Sequence, residues 1–274
     1  MNLNPFGNTL DLAQAVRRDV LRMTNSAQAS HVGSSLSCID VLAVLYHSIA
    51  NVDPKEPRAV ERDRVVVSKG HAAAALYATL ANVGFFPVSK LAEYCTNGSL
   101  LVGHVTVGVP GVEFSTGSLG HGLPFSVGSA LAASRDGSER RTFVLLSDGE
   151  IDEGSNWEAA LLAAHHNLCA LTVIIDRNGL QSLTTTEATV ALEPLAAKWE
   201  AFGWDVVTVD GHCHEELERV LEKRATKPTC VIAETTKGKG VAFMENQVLW
   251  HYRPPTDDDL AEAIRLLEGG KVQQ

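Results

Sequence analysis

The sequence predicts an α/β fold in which a doubly wound, mostly parallel sheet carries helices on both faces. The first observation is a pair of short apolar runs, residues 142–147 and 171–175, each rich in β-branched or aliphatic side chains. Such runs are typical of parallel strands that are buried on both faces. The second observation is that runs of this kind alternate along the chain with amphipathic helical segments. No repeat or linker interrupts the 274 residues, so we expect residues 1–274 to form a single domain.

The elements of the first half of the chain follow from helical periodicity and one further apolar run. Leu12, Val16 and Val20 fall on one face of the first predicted helix, as packing against a sheet requires. After residue 83 Gly and Val are frequent and periodicity is weak, which predicts a functional loop. In order, the predictions are a helix over residues 10–28, a helix over residues 38–49, a strand over residues 64–67, a helix after His71 and a loop over residues 83–114.

The second half alternates strands with helices and ends in a capped helix. Thr256 and the three Asp residues after it are typical of a helix start, and Gly269 with Gly270 is expected to end that helix. Before it, in order, we predict a helix from about Gly122, the strand over residues 142–147, a helix over residues 156–166, the strand over residues 171–175, a strand over residues 206–209, a helix carrying Leu217, Val220 and Leu221, a strand over residues 230–234 and a mobile loop over residues 235–240.

Oxygen-bearing side chains follow two of these strands, at the edge where a doubly wound sheet opens its ligand crevice. Asp148 comes directly after one strand, and Asn178 comes shortly after the other. Together they predict a site for one hard divalent cation, which typically also binds phosphate groups. Gly149 lets the backbone approach a phosphate, and we expect the helix after Asp152 to turn its free N–H groups towards it. Asp-Gly and Asn-Gly are also common turn sequences, so either one alone favours a plain turn.

Histidines in a fixed order identify the kind of site. Each motif is weak alone, and the set is specific when it is combined with Asp148 and Asn178. In order, the motifs are Ser-His-Val-Gly at 30–33, Ser-Lys-Gly-His at 68–71, Gly-His at 103–104, a glycine-rich stretch at 115–122 and Val-Leu-Trp-His at 248–251. Over about residues 18–260 the chain resembles the cofactor-binding half of a transketolase. In that family this half binds the diphosphate of thiamine diphosphate through a divalent metal.

The resemblance implies a role for each of these residues. A divalent metal (Mg²⁺, or Ca²⁺ or Mn²⁺) would be bound by Asp148, Asn178 and the backbone carbonyl of Leu180. Thiamine diphosphate would be contacted by His71, Gly117, Leu119, Gly149, Glu150, Asn178 and His251. The catalytic residues around the reacting carbonyl of a ketose would be His31, His104 and His251. Imidazoles suit this chemistry because breaking a carbon–carbon bond beside a carbonyl moves protons near neutral pH.

Some positions depart from the family pattern or receive a structural interpretation. Val32 and Ser118 replace the usual prolines, Ser147 replaces a glycine and His121 replaces a glutamine, so the shape of the substrate pocket is expected to differ. A solvated loop is the favoured interpretation of the lysines Lys237 and Lys239, with a phosphate contact as the alternative. The histidines interpreted as structural are His47, His165, His166, His212 and His214.

The resemblance also implies a partner. Single-chain transketolases are more than twice as long, and the half that carries the glutamate activating the aminopyrimidine is missing from these 274 residues. We therefore expect the first polypeptide of a split transketolase, which transfers a two-carbon ketol unit from a ketose to an aldose, and we expect these sugars to be phosphorylated. A separate pyrimidine-binding subunit would complete the site, in an α2β2 assembly.

Composition limits the other classes of function. The net charge is −10 without a basic cluster, which argues against nucleic acid or an anionic membrane as a partner. Hydrophobic residues make up 45% of the chain, enough for a sizeable core. Five cysteines without Cys-x-x-Cys spacing predict reduced thiols, and the first residues show no secretion signal. We expect a cytoplasmic protein.

Other classes of function compete with this interpretation. The glycine-rich stretch lacks the spacing of a nicotinamide-binding loop, and the Gly-Lys-Gly of residues 238–240 lacks the Ser or Thr of a nucleotide-hydrolase phosphate loop. The α subunit of a 2-oxo acid dehydrogenase also shares this cofactor between chains, but the spread of histidines favours transketolase. A non-catalytic assembly subunit that keeps the fold is a further possibility, and the intact Asp148 and Asn178 argue against it.

Overall fold

A parallel sheet forms the centre of the protein, and the computed structural model describes residues 5–269. Its strands are β1 (Arg64–Val67), β2 (Thr142–Ser147), β3 (Leu171–Arg177), β4 (Asp205–Asp210) and β5 (Thr229–Glu234). Within the described residues these strands form one sheet in the order β1-β2-β3-β5-β4, and each neighbouring pair is parallel. The doubly wound fold class predicted from the sequence is confirmed.

Alternate residues of each strand pack on opposite faces of the sheet. On β2, Phe143 and Leu145 belong to one buried cluster, whereas Val144 and Leu146 belong to the other. Every residue of β2 is buried. The run is therefore continuously apolar because both of its faces are covered.

Different helices cover the two faces. The helices are α1 (Thr9–Ser26), α2 (Val32–Ser37), α3 (Ile39–Val44), α4 (Ala73–Asn82), α5 (Gly122–Asp136), α6 (Gly154–His165), α7 (Thr186–Thr189), α8 (Leu195–Ala201), α9 (His214–Leu221) and α10 (Asp257–Gly269). Residues of α1 to α4, α9 and α10 build one apolar cluster, and residues of α5, α6 and α8 build the other. Among the described residues, no helix is both long and apolar enough to cross a membrane.

Several boundaries differ from the sequence prediction. The helix expected over residues 38–49 begins earlier, as α2, is interrupted at Cys38 and ends in a π-helical turn, Leu45–Ile49. Helices α7 and α8 were not predicted, because segments this short show too little periodicity. Gly270, expected to end the last helix with Gly269, lies outside the described residues.

The glycine-rich stretch is fixed at the carboxyl end of β1. Thr116 Oγ1 donates to the carbonyl of Val67 at 2.7 Å. A Cβ atom on Gly70 would lie 2.5 Å from the carbonyl carbon of Thr116, so the two loops touch only because residue 70 has no side chain. This contact brings the loop after β1 and the glycine-rich stretch together at the edge where a ligand crevice is expected.

Candidate functional site

Loops that follow β1, β2, β3 and β5 meet around a cavity of about 230 Å³. Of the residues assigned a role from the sequence, all within the described range, every one except Glu150 lines this cavity. Ser34, Ser147, Gln181, Ser182 and Lys237 line it in addition. The site therefore forms at the carboxyl edge of the sheet, as expected for a doubly wound fold.

One side of the cavity presents oxygen atoms. Asp148, at the end of β2, is 1% exposed, and its carboxylate accepts the N–H groups of Gly149 at 2.8 Å and Gly179 at 2.6 Å. Asn178 accepts the N–H of Leu180 at 3.1 Å through Oδ1. Carboxylate, amide and carbonyl oxygens are the atoms that hard divalent cations bind. The three residues predicted as metal ligands thus lie together.

The carboxylate of Asp148 has too few side-chain partners among the described residues to hold a cation without further ligands. Within residues 5–269, no group of three or more His, Cys, Asp or Glu side chains is arranged to hold a metal ion. A cation beside Asp148 would therefore need further oxygens, from backbone carbonyls and from a ligand such as a phosphate. The geometry fits a cation that is bound partly by the protein and partly by a phosphate ligand.

The electrostatics of Asp148 agree with a cation site. Burial raises the pKa of Asp148, and the nearby charge of Asp176 raises it further, while hydrogen bonds from Gly179 and Gly149 and the charge of Arg177 oppose the rise. Asp176 itself is fully buried and forms an ion pair with Lys69. Because a divalent cation would stabilise the ionised carboxylate of Asp148, it would offset both causes of the rise.

The cavity also carries a cluster of imidazole rings. The ring centroid of His31 lies 4.9 Å from that of His251, 5.4 Å from that of His71 and 5.8 Å from that of His104. The backbone also links the cluster, since the His31 N–H donates to the His251 carbonyl at 2.9 Å. Residues from separate loops of the chain therefore form one group, as the family resemblance implies.

Three of these imidazoles, those of His31, His71 and His251, have lowered pKa values that favour the neutral form. Burial lowers the pKa of His31 to about 4 and that of His251 to about 3, and nearby positive groups, Lys237 among them, lower both further. Burial, followed by the charge of Lys69, holds the pKa of His71 well below its ordinary value. A neutral imidazole carries one donor and one acceptor nitrogen. The cluster can thus donate to anionic oxygens and also accept protons.

Lys237 is a cavity residue, so the interpretation of its loop as solvated is wrong. Its side chain is 1% exposed, and Nζ donates to the Leu180 carbonyl at 3.2 Å and lies 3.2 Å from Nδ1 of His251. Burial lowers the pKa of Lys237 to about 8, and the charge of Lys69 adds to this effect. The signal in the sequence was its position just after β5, at the same edge of the sheet as Asp148.

The glycine-rich stretch forms another wall. A Cβ atom on Gly117 would lie 3.2 Å from Cδ2 of His104, so this backbone packs directly against the ring. Glu150, expected to contact the cofactor, lies beneath the stretch instead. Its buried carboxylate accepts Ser68 Oγ and the Gly120 N–H, the latter at 2.9 Å. Since its oxygens are turned to these donors, the structure gives Glu150 a supporting position in place of the expected contact.

Other expected contributors also lie away from the cavity. The N-terminus of α6 was expected to face a phosphate, but Ser155 of α6 donates to the Gly120 carbonyl at 2.7 Å and packs on the glycine-rich stretch. Val32 is buried in the core, and His121 is exposed to solvent. Neither lines the cavity, whereas Ser147, which replaces a glycine of the family pattern, does. The cavity is also not lined by the histidines interpreted as structural, namely His47, His165, His166, His212 and His214.

The arrangement as a whole fits a diphosphate bound together with a divalent cation. Oxygen atoms that could bind the cation and imidazole N–H donors line the same cavity, and Lys237 lies between them, since its Nζ contacts both the Leu180 carbonyl and His251. Burial is the main cause of the lowered pKa values of His31, Lys237 and His251, and nearby positive groups add to it, so a bound anion would favour the protonated forms of these residues.

Comparison with known proteins places this cavity in a family context. The family described as "Transketolase, thiamine diphosphate binding domain" matches residues 9–269. The chain is 43% identical to a subunit of the apulose-4-phosphate transketolase of Phocaeicola vulgatus, covering 94% of this chain and 93% of that protein. It is 39% identical to 6-deoxy-6-sulfo-D-fructose transketolase subunit SqwG of a Clostridium species, covering 93% of this chain and 94% of that protein.

Solved structures agree in fold and differ in length. The transketolase of Leishmania mexicana superposes with a TM-score of 0.89 at 28% sequence identity. The match covers 96% of this chain and 42% of the Leishmania chain, so this chain spans less than half the length of that enzyme.

Proposed function

Because this chain belongs to the family of transketolase domains that bind thiamine diphosphate, we propose that it is the cofactor-binding subunit of a transketolase. The reaction is the transfer of a two-carbon ketol unit from a ketose to an aldose. One observation carries the proposal: the cavity joins the oxygen atoms around Asp148 to the histidine cluster. Family membership favours this function over an α subunit of a 2-oxo acid dehydrogenase and over a non-catalytic subunit.

The metal and the diphosphate occupy adjacent parts of the cavity in this proposal. Asp148, Asn178 and the Leu180 carbonyl bind Mg²⁺ or a similar cation, supported by their oxygen donors and by the raised pKa of Asp148. His71 and Lys237 donate to the diphosphate, and the backbone at Gly149 lies beside it. Gly117 and Leu119 lie against the aminopyrimidine.

Proton transfer to and from the ketose is assigned to the histidines. The bound cofactor supplies the electron sink for carbon–carbon bond cleavage. His31, His104 and His251 orient the carbonyl and the neighbouring hydroxyl of the ketose. Because the pKa values of His31 and His251 are low, these rings are neutral near pH 7, and each has an unprotonated nitrogen that can accept a hydrogen bond from that hydroxyl.

A second subunit completes the enzyme in this proposal. The Phocaeicola and Clostridium relatives are named as transketolase subunits, and this chain covers nearly their full length. We propose that the partner supplies the pyrimidine-binding half with the activating glutamate, in an α2β2 assembly with sites at the subunit interfaces. We also propose a cytoplasmic location, supported by the free cysteines of the described chain.

The sugar is recognised mainly by the partner. The two relatives are named for different sugars although they share this half. We propose phosphorylated ketose and aldose substrates whose reacting ends lie in the histidine cluster and whose far ends contact the partner subunit.

The test combines the purified chain with the pyrimidine-binding transketolase chain of the same organism. Ketol transfer is measured on a panel of ketose phosphates, with thiamine diphosphate and Mg²⁺ present, by detecting the aldose product. We expect no turnover from either chain alone and turnover from the mixture. Robust turnover by this chain alone would contradict the two-subunit proposal, and a cofactor-loaded mixture that transfers no ketol from any donor would contradict the transketolase assignment.

A further inference from the structure

A buried cluster of charged and polar side chains lies behind the loop that carries Lys237. Asp40, on α3, is 3% exposed. Its carboxylate contacts Nη2 of Arg17 at 2.5 Å, Nδ1 of His212 at 2.7 Å and Nε2 of His214 at 3.0 Å. Burial alone would raise the pKa of Asp40, but Arg17 and the hydrogen bonds from the two histidines hold it well below its ordinary value. Asp40 is therefore an ionised acceptor that the three neighbours satisfy.

His212 connects this cluster to the loop after β5. Its Nε2 accepts the backbone N–H of Thr236 at 2.8 Å. Because a backbone N–H can only donate, Nε2 carries no proton in this arrangement. The ring proton is then on Nδ1, where it donates to Asp40. Asp40 thus fixes both the tautomer and the orientation of His212, as second partners of functional histidines do.

Thr236 directly precedes Lys237, the residue that enters the cavity. Other hydrogen bonds hold the loop nearby: Thr235 Oγ1 donates to Asp176, and the Gly238 N–H donates to the Gly33 carbonyl at 2.9 Å. The Thr236 carbonyl accepts the Lys239 N–H at 3.1 Å within the loop, and the His212 contact ties the Thr236 N–H to the buried cluster outside the loop. An N–H left without an acceptor in a partly buried site is unfavourable, so this contact favours the observed path of the backbone.

We infer that His212, oriented by Asp40, is a positioning residue that holds the backbone at Thr236 so that Lys237 points into the cofactor cavity. The inference rests on the proposed function, in which Lys237 faces the diphosphate. The inference assigns this role to His212 and not to His214. The hydrogen bonds of His214 within the described chain go to Asp40 and Thr9 Oγ1, and none goes to the loop.

The experiment compares three variants of the full chain. His212→Leu removes the acceptor, His212→Gln returns an acceptor oxygen near the place of Nε2, and His214→Leu is the matched control on the same carboxylate. Hydrogen exchange of residues 235–240 is followed by mass spectrometry without ligand, and the Kd of thiamine diphosphate with Mg²⁺ is measured by calorimetry with the pyrimidine-binding partner present. For His212→Leu we expect exchange of the loop and the Kd each to rise about tenfold, the effect of losing one hydrogen bond.

The rescue and the control decide the outcome. We expect His212→Gln to recover most of the protection and affinity, and His214→Leu to leave both close to the wild type. Unchanged loop exchange in His212→Leu, or an equal effect from His214→Leu, would overturn the inference. If His212→Leu does not fold, His212→Asn, which keeps only the donor to Asp40, takes its place. A wild-type chain that bound no cofactor even with its pyrimidine-binding partner present would count against the proposed function, whereas the exchange data would still decide the role of His212.

Discussion

The imidazole of His31 packs edge to face on that of His251, with ring centroids 4.9 Å apart, and the His31 N–H donates to the His251 carbonyl at 2.9 Å. His31 follows α1 and His251 precedes α10, so the contact joins two segments that are far apart in the sequence. It closes the histidine side of the cavity. The site therefore depends on loops that are distant in sequence, and single substitutions can separate their roles.

Asp148→Ala is expected to weaken thiamine diphosphate binding by at least about 100-fold, since even groups that only orient a metal ligand contribute about 10–100-fold. The dependence of binding on a divalent cation should disappear as well. Calorimetry with and without Mg²⁺ measures both effects, and Asp136→Ala, an exposed carboxylate at the end of α5, is the control. Unchanged affinity in Asp148→Ala would remove this residue from the metal site.

Lys237→Met is expected to raise the Kd of thiamine diphosphate about 10–100-fold, because a hydrogen bond to a charged group contributes about 1.5–3 kcal/mol. Lys239→Met serves as the control, since Lys239 is in the same loop but does not line the described cavity. Both values come from titration of the chain at a fixed Mg²⁺ concentration. Equal losses in the two variants would indicate a general charge effect in place of a direct contact.

His104→Ala and His71→Ala are expected to separate chemistry from cofactor binding. His104→Ala should lower kcat about 100-fold or more with little change in cofactor affinity, as loss of a general acid–base group does. His71→Ala should weaken cofactor binding, and excess cofactor should recover part of the activity. Steady-state kinetics of the two-subunit enzyme, after circular dichroism has shown native folding, provides the comparison. A His104→Ala enzyme with full activity would show that the loop over residues 83–114 is assigned the wrong role.

Thermal stability of the chain without cofactor is expected to fall as the pH drops from 6.5 towards about 4. The folded-state pKa of His31 is about 4 and that of His251 about 3, both below the ordinary 6.5. Between these values and pH 6.5 the unfolded chain binds more protons than the folded chain. The contribution of these two histidines to the free energy of unfolding is therefore most favourable above pH 6.5 and is lost as the pH falls.

Scanning calorimetry across this window measures the slope of Tm against pH. His31→Asn removes one titrating ring and should give a shallower slope. His165→Asn, on the exposed side of α6, should keep the wild-type slope. Equal slopes of Tm against pH in the wild type and in His31→Asn would contradict a neutral His31 in the folded cavity.

The sheet and most of the cavity could be predicted from the sequence for a physical reason. Strands buried on both faces must be continuously apolar, so β2 and β3 were recognisable, and parallel strands place Asp148 and Asn178 at the same edge. The direction in which a side chain points after a strand cannot be predicted from the sequence. Glu150 turns beneath the glycine-rich stretch because Ser68 and Gly120 offer it donors there.

Lys237 and His212 show a second limit. A loop of alternating Gly and Lys has the composition of a solvated segment, and its burial depends on the Leu180 carbonyl, which another loop supplies. The role of His212 depends on Asp40 and Thr236, which are distant from it in sequence. Such contacts leave no periodic pattern in the sequence, so only the folded chain reveals them.

The position of the last strand also sets an order for assembly during synthesis. β5 ends at Glu234, so the residues of the whole sheet leave the ribosome before Lys237 and His251 do. The segment that follows must then return across the carboxyl edge, where the Gly238 N–H binds the Gly33 carbonyl. A nascent chain can thus complete its sheet while the cavity is still open. Cofactor capture by a newly made chain is consequently a late event, and it marks a chain that has been translated through His251.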